Sequence, residues 1–156
     1  MLESTHMTIR EKIIEEAISW TDTPYIHRQR CKSIGTDCIQ FLIGVALNTG
    51  VLEKEPETPY YSVQWHLHQK RELLLETAIQ LGCIEKKREE LIPGDFFLMK
   101  IGHVCSHSAI YLPNNEMLHA MCQYPSKVIR RPFDGVWART AKRFFAFPGV
   151  PVLEDV

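Results

Sequence analysis

The sequence predicts an α+β fold in which N-terminal helices pack on a C-terminal antiparallel sheet. Apolar residues recur at helical intervals in the first half of the chain, whereas turn residues and short alternating strands dominate after Pro93-Gly94-Asp95. Helices followed by a run of strands are typical of α+β proteins. With 156 residues, 45% of them hydrophobic and 24% charged, the chain has the size and composition of one globular domain. We expect this domain to span residues 8–156, after a flexible extension at residues 1–7.

The first helix is predicted by a capping box and a helical repeat. Thr8 and Glu11 have the spacing of the box. The apolar positions that follow at helical intervals are Ile9, Ile13, Ile14, Ala17 and Ile18. This helix should end between Thr21 and Pro24, because proline restricts the preceding residue to extended backbone.

Two further helices are expected after an irregular loop at residues 25–35. The second should begin at Asp37 or Cys38 and end at Gly50, and its nearly continuous apolar sequence indicates a buried, central position. Ser62 can cap the third, which should run through the leucines around residue 74 to Gly82.

The strands of the second half bring two histidines together. The predicted strands are residues 96–101, 106–112, 117–121, 128–130 and 144–147. If the connection Pro113-Asn114-Asn115 forms an odd-length loop or bulge, with an asparagine in left-handed geometry, His119 opposes Ala109 and lies diagonal to His107. The diagonal spacing of about 7–8 Å is within reach of two imidazole rings.

Cys38 is the candidate nucleophile. It directly follows the polar turn Gly35-Thr36-Asp37, so it should lie in the first turn of the second helix, where free N–H groups and the helix dipole favour a thiolate. With His107 and His119 it follows the order cysteine, histidine, polar residue that thiol hydrolases use. The alternative is that Cys38 is a small buried apolar residue and that the histidines are structural.

Charge and cysteine spacing argue against several classes of protein. A net charge of -1 leaves no basic footprint for nucleic acid. The five cysteines show no CxxC spacing, so they predict neither a disulfide framework nor a zinc site. His66 and His68 would point to different faces of a helix, and we expect no metal site. No apolar stretch approaches the roughly 20 residues of a membrane span, and the N-terminus lacks a signal-peptide core.

Six segments distributed over most of the chain carry a family resemblance. They are Trp20-x-x-Thr23-Pro24-Tyr25, Gly35-Thr36-Asp37-Cys38, Pro93-Gly94-Asp95, Ser106-His107-Ser108-Ala109-Ile110-Tyr111, Leu118-His119-Ala120 and the ending from Trp137 to Phe147-Pro148. Together they resemble the NlpC/P60 family of papain-like cysteine peptidases, and more narrowly its phage-associated cell-wall peptidase branch. The resemblance implies a papain-like NlpC/P60 fold and a catalytic domain.

The resemblance also implies roles for individual residues. Cys38 would be the nucleophile, His107 the general base and acid, and His119 the residue that orients the His107 ring. The Tyr25 hydroxyl would position substrate or stabilise the oxyanion, together with the Cys38 backbone N–H. Asp37 would either contact substrate or serve only as the cap of the helix.

Family members typically hydrolyse peptide bonds in bacterial cell-wall stem peptides, notably those made by the γ-carboxyl of D-glutamate, without metal or cofactor. Many of them read Asp-Cys-Ser-Gly, whereas Ile39 and Gln40 follow Cys38 here, so the serine that helps to bind the substrate amine is absent. The implied partners are peptidoglycan peptides and phage tail proteins. The implied route is synthesis in the cytoplasm without a signal peptide, then delivery to the wall by a phage particle or a partner. The alternatives are an idle structural subunit of a phage tail tip and a thiol acyltransferase of the wider superfamily, although the latter usually places histidine before cysteine.

Overall fold

The computed structural model describes residues 6–58, 61–62 and 71–153. The helices there are α1 (Ile9–Ile18), α2 (Cys38–Asn48), α3 (Leu73–Gln80) and the short α4 (Gly135–Thr140). The strands are β1 (Arg30–Cys31), β2 (Gly35–Thr36), β3 (Ile84–Lys86), β4 (Phe96–Ile101), β5 (Val104–Leu112), β6 (Glu116–Ala120), β7 (Val128–Pro132) and β8 (Ala141–Ala146). The predicted α+β class is confirmed. Residues 63–70, which hold His66, His68 and the beginning of the third predicted helix, lie outside the described part.

Helix α1 begins as the sequence predicts. The Thr8 hydroxyl accepts a hydrogen bond from the Glu11 backbone N–H (3.1 Å), and the Glu11 carboxylate accepts one from the Thr8 N–H (3.3 Å). The helix ends at Ile18, earlier than the predicted stop, and Asp22 then turns the chain in left-handed geometry (φ 70°). The chain therefore leaves the helix before Pro24 can act as the terminator.

Helix α2 is the central, buried helix that its apolar sequence predicts. Every residue from Cys38 to Ala46 is buried, and Asp37 caps its start. Gly44 permits the indole of Trp20 to lie directly against the helix, because a β-carbon there would come within 2.6 Å of the ring. The Trp20 ring also meets Phe41 edge-on, with centroids 5.8 Å apart. The second helix is thus held from the α1 side as well as by the sheet.

The large sheet has six antiparallel strands in the order β3-β8-β4-β5-β6-β7. Its five longer strands match the predicted ones to within a few residues at their ends. Strands β1, β2 and β3 were not predicted, because runs of two or three residues are too short to show an alternating pattern. The pair β1 and β2 lies in the segment that was expected to be a loop.

Apolar residues cover both faces of this sheet. One cluster lies between the sheet and the helices, and contains Phe41, Leu98 and Ile110 among others. The second lies on the opposite face, around Phe97 and Met117, with Trp137 of α4 packed against it. The sheet is therefore buried on both faces. Among the described residues, no helix is long and apolar enough to cross a membrane.

The Pro93-Gly94-Asp95 turn is part of a buried ion cluster that joins both ends of the chain. Asp95 is fully buried and accepts hydrogen bonds from the Arg10 guanidinium (2.8 Å), the Lys86 ammonium (2.6 Å) and the Ile92 N–H (2.9 Å). The same two cations donate to the carbonyl groups of Pro151 and Val152, at 2.5 Å each. This sequence motif therefore has a structural role, away from the two histidines.

Candidate active site

Cys38 is the first residue of α2 and is 7% exposed. The Ser108 hydroxyl of β5 donates to the Cys38 carbonyl (3.1 Å), which ties the start of the helix to the sheet. The thiol itself donates to the Ser106 carbonyl, with the sulfur 3.9 Å from the oxygen. The sulfur thus lies beside β5, at the start of the helix where the sequence placed it.

A cleft of about 470 Å³ opens at this point. It lies between the start of α2, strand β5, the chain that follows β6, and α4. Its lining includes Tyr25, Cys38, Ser106, His107, Cys122 and Trp137. The candidate nucleophile and the candidate base therefore face one cavity of a size that suits a short peptide segment.

A bulge and a tight turn place the two histidines. In the β4–β5 ladder His107 pairs with Met99, and the register then shifts so that Ser106 is the extra residue. Strands β5 and β6 join through the three residues 113–115, with Asn114 (φ 65°) and Asn115 (φ 56°) in left-handed geometry. Their register pairs Ile110 with Leu118. Continuing this register by one position places His119 opposite Ala109, which is two residues after His107. The predicted odd-length loop and diagonal register are therefore confirmed.

The two imidazole rings form a direct hydrogen bond. His107 Nε2 lies 2.7 Å from His119 Nδ1, so Nδ1 is the His107 ring nitrogen that His119 does not contact, and His107 lines the cleft. His119 is fully buried, while Trp137 packs edge-on against its ring at 4.9 Å between centroids. The guanidinium Nε–H of Arg131 on β7 donates to His119 Nε2 (3.1 Å). Both nitrogens of His119 are thus occupied, and the ring can neither flip nor rotate without breaking a hydrogen bond.

Burial favours the uncharged form of the thiol and of both rings. It raises the pKa of Cys38 to about 12, with the neighbouring Asp37 carboxylate adding to the effect. It lowers the pKa of His107 to about 4 and that of His119 to about 2, where the charges of His107 and Arg131 contribute further. Burial, and after it the Asp37 carboxylate, therefore act against the thiolate that the start of the helix was expected to favour.

Asp37 has the structural role that was one of its two interpretations. One carboxylate oxygen accepts from the Gln40 N–H (2.8 Å), which is the helix cap. The other accepts from the Arg28 N–H (2.8 Å) and from the Tyr61 hydroxyl (2.6 Å). Asp37 is 1% exposed and accepts from three donors, so its role as the helix cap is confirmed, and its contact with substrate stays a prediction.

Tyr25 lies where the resemblance implied, in the wall of the cleft. Burial, followed by the nearby groups of Cys38 and Asp37, raises the pKa of its hydroxyl above the ordinary value. The hydroxyl therefore remains protonated at neutral pH and can donate a hydrogen bond towards the cleft.

Three residues around the site were not recognised as functional from the sequence. Tyr61, Arg131 and Cys122 lie in segments without a motif, and each reaches the site only through tertiary packing. Trp137 belonged to the family pattern but had no role assigned to it. The sequence signal for Arg131 is the alternation of side chains along β7, which places residues 129 and 131 on the same face of that strand.

A match to a family model shows which family the chain belongs to. The NlpC/P60 family model matches residues 22–145. The chain belongs to the NlpC/P60 family. No curated protein matches the sequence significantly.

Solved structures of NlpC/P60 proteins share this fold. The NlpC/p60 domain of the peptidoglycan hydrolase SagA has a TM-score of 0.59 and 20% identity, covering 88% of this chain and 97% of that one. An NlpC/P60 family protein from Bacillus cereus ATCC 10987 has a TM-score of 0.65 and 17% identity, covering 88% of this chain and 40% of that one. The peptidoglycan hydrolase RipB from Mycobacterium tuberculosis has a TM-score of 0.62 and 19% identity, covering 94% and 66%. This chain thus matches nearly all of the SagA domain but less than half of the Bacillus protein.

Proposed function

We propose that this NlpC/P60 protein is a cysteine peptidase or amidase that hydrolyses peptide bonds in the stem peptides of bacterial peptidoglycan. The observation that carries the proposal is the cleft that contains both the Cys38 thiol and His107, whose far ring nitrogen is bonded to His119 at 2.7 Å. Family membership and the likeness to SagA and RipB, both peptidoglycan hydrolases, support the substrate class. We infer the γ-D-glutamyl bond from the family resemblance of the sequence.

In this mechanism the Cys38 sulfur attacks the scissile carbonyl carbon while the thiol proton passes to His107 Nδ1. Since burial disfavours both the free thiolate and the free imidazolium, the proton moves as the carbon–sulfur bond forms rather than beforehand. The Cys38 N–H, which has no intrahelical acceptor at the first position of α2, and the Tyr25 hydroxyl can donate to the developing oxyanion.

The second half of the reaction reverses these transfers. His107 gives its proton to the leaving amine, and the acyl group remains on Cys38 as a thioester. Water then attacks the thioester, loses a proton to His107, and the acid product and the thiol are released. His119 is a positioning residue in this scheme, because it holds the His107 ring with Nδ1 towards the sulfur.

The proposal is tested by digestion of purified peptidoglycan of defined composition, with mass spectrometry of the released fragments. Wild-type protein should release fragments whose new ends identify the bond. Cys38→Ala should release none, while Cys83→Ala, which changes a cysteine away from the cleft, should behave like wild type. Full activity in folded Cys38→Ala would end the proposal, and folded wild-type protein that releases nothing would favour the idle structural subunit. Delivery by a phage particle stays a prediction.

A further inference from the structure

Arg131 contacts the histidine pair at His119, through the ring nitrogen that is not bonded to His107. Its Nε–H donates to His119 Nε2 at 3.1 Å, and its guanidinium carbon lies 5.5 Å from the centroid of the Trp137 ring. Trp137 also packs against the His119 ring. The arginine is therefore held against His119 by a hydrogen bond and by a cation–π contact.

The direction of this hydrogen bond determines where the protons of both rings lie. A guanidinium has only donors, so His119 Nε2 must be the acceptor and must carry no proton. A neutral His119 then has its proton on Nδ1 and donates it to His107 Nε2, 2.7 Å away. Because His107 accepts at Nε2, the single proton of a neutral His107 lies on Nδ1, the nitrogen that His119 does not contact.

We propose that Arg131 is a positioning residue that restrains the site: it holds the histidine pair in the tautomer that cannot take a proton from Cys38, until it releases His119. The inference rests on the proposed function, since it concerns how the same thiol is activated. A protonated Nδ1 has no lone pair for the thiol proton. For His107 Nδ1 to accept a proton, each ring must carry its single proton on Nε2 instead. The proton on His119 Nε2 would then face the Arg131 N–H, which is also a donor.

The contacts of the thiol agree with this state. The Cys38 sulfur donates to the Ser106 carbonyl rather than to a ring nitrogen. A protonated Nδ1 offers the thiol proton no acceptor, so donation to a backbone carbonyl is compatible with a proton on His107 Nδ1. This hydrogen bond is a different one from that of Arg131.

The switch between the two states balances in protons. When Arg131 leaves His119 Nε2, water supplies a proton to that nitrogen. The bridging proton moves from His119 Nδ1 to His107 Nε2, and His107 Nδ1 gives its proton to water in the cleft. Each ring carries one proton before and after the change.

Trp137 connects this restraint to the substrate. The indole lines the cleft, and it contacts both the arginine and the His119 ring. A peptide that packs on Trp137 within the cleft would compete with Arg131 for the ring and would weaken its hold on His119. Substrate binding and release of the histidine pair would then be coupled.

The test compares Arg131→Met with Arg130→Met. Both remove one positive charge from β7, but Arg130 is an exposed residue whose ion-pair partner is Glu116, at 3.8 Å. Two readouts at neutral pH are needed in folded protein. Ring nitrogen chemical shifts report which His119 nitrogen carries the proton, and peptide mapping after limited iodoacetamide treatment gives the alkylation rate of Cys38. Arg131→Gln serves as a second variant, because an amide does not enforce one tautomer.

We expect His119 Nε2 to be unprotonated in wild type and Arg130→Met, and protonated in Arg131→Met. Cys38 alkylation should be at least about tenfold faster in Arg131→Met than in Arg130→Met, the factor that corresponds to one lost hydrogen bond of a charged donor. A protonated Nε2 in wild type, or equal alkylation of Cys38 in the two methionine variants, would overturn the inference. If these differences are found but no variant digests peptidoglycan, the inference stands and the proposed function fails.

Discussion

Loss of the Asp95 carboxylate should destabilise the protein more than loss of an exposed ion pair. Asp95→Ala removes a fully buried anion and leaves Arg10 and Lys86 without their shared counter-charge. Because these two side chains are nearly or fully buried, water cannot replace that charge. Breaking a buried pair in this way costs about 3–5 kcal/mol. The carbonyl groups that also accept from these cations remain, so we expect no larger effect.

The measurement is urea unfolding followed by circular dichroism under reducing conditions. Domains of this kind have about 5–15 kcal/mol of stability, so Asp95→Ala should lose a large fraction of the total. With a urea slope of about 1–3 kcal/mol per molar, the midpoint should fall by roughly 2 M. The control is Glu85→Ala, which breaks the exposed pair with Arg143 and should cost less than about 1 kcal/mol. Equal midpoints for the two variants would refute the reasoning.

Three further predictions concern the site. His119→Gln should keep part of the hydrolytic activity and His119→Leu should lose more, because an amide can still bond to His107; equal rates in equally folded proteins would remove His119 from the triad. Between pH 6.5 and about 4 the unfolded chain binds a proton at His107 that the folded protein does not, so the unfolding free energy should decrease as the pH is lowered through this window. His107→Gln should make a plot of unfolding free energy against pH less steep there, and an unchanged slope would show that the ring is charged in the folded protein. Tyr61→Phe removes a donor to Asp37 and should lower stability by about 1.5–3 kcal/mol in chemical denaturation; an unchanged midpoint would show that this hydrogen bond contributes nothing.

Local patterns predicted the parts of the fold that depend on neighbours in sequence. The capping box of α1, the buried α2 with Cys38 at its start, and the asparagine turn before His119 each follow from a few consecutive residues. The turn then determined the register, because alternation along a strand is strict. The meeting of the two imidazole rings could therefore be predicted, although their positions are twelve residues apart.

The remainder depends on residues that tertiary structure brings together. Arg131 reaches His119 only because β7 pairs with β6, and Tyr61 reaches Asp37 across a gap of 24 residues. The groups that raise the pKa of Cys38 could not be predicted for the same reason. A helix dipole can be anticipated from sequence, but the depth of burial and the anion beside the thiol depend on how the helix packs on the sheet.

The most direct test of the central claim is to identify the residue that carries the acyl group. Folded wild-type protein is mixed with soluble stem peptides, quenched in acid during turnover, and mapped by mass spectrometry for a thioester. The cleft contains a rival thiol, Cys122, so the position of the adduct is informative. The mechanism predicts a thioester on Cys38 and none on Cys122. An adduct on Cys122, or hydrolysis that continues undiminished in Cys38→Ala, would contradict it.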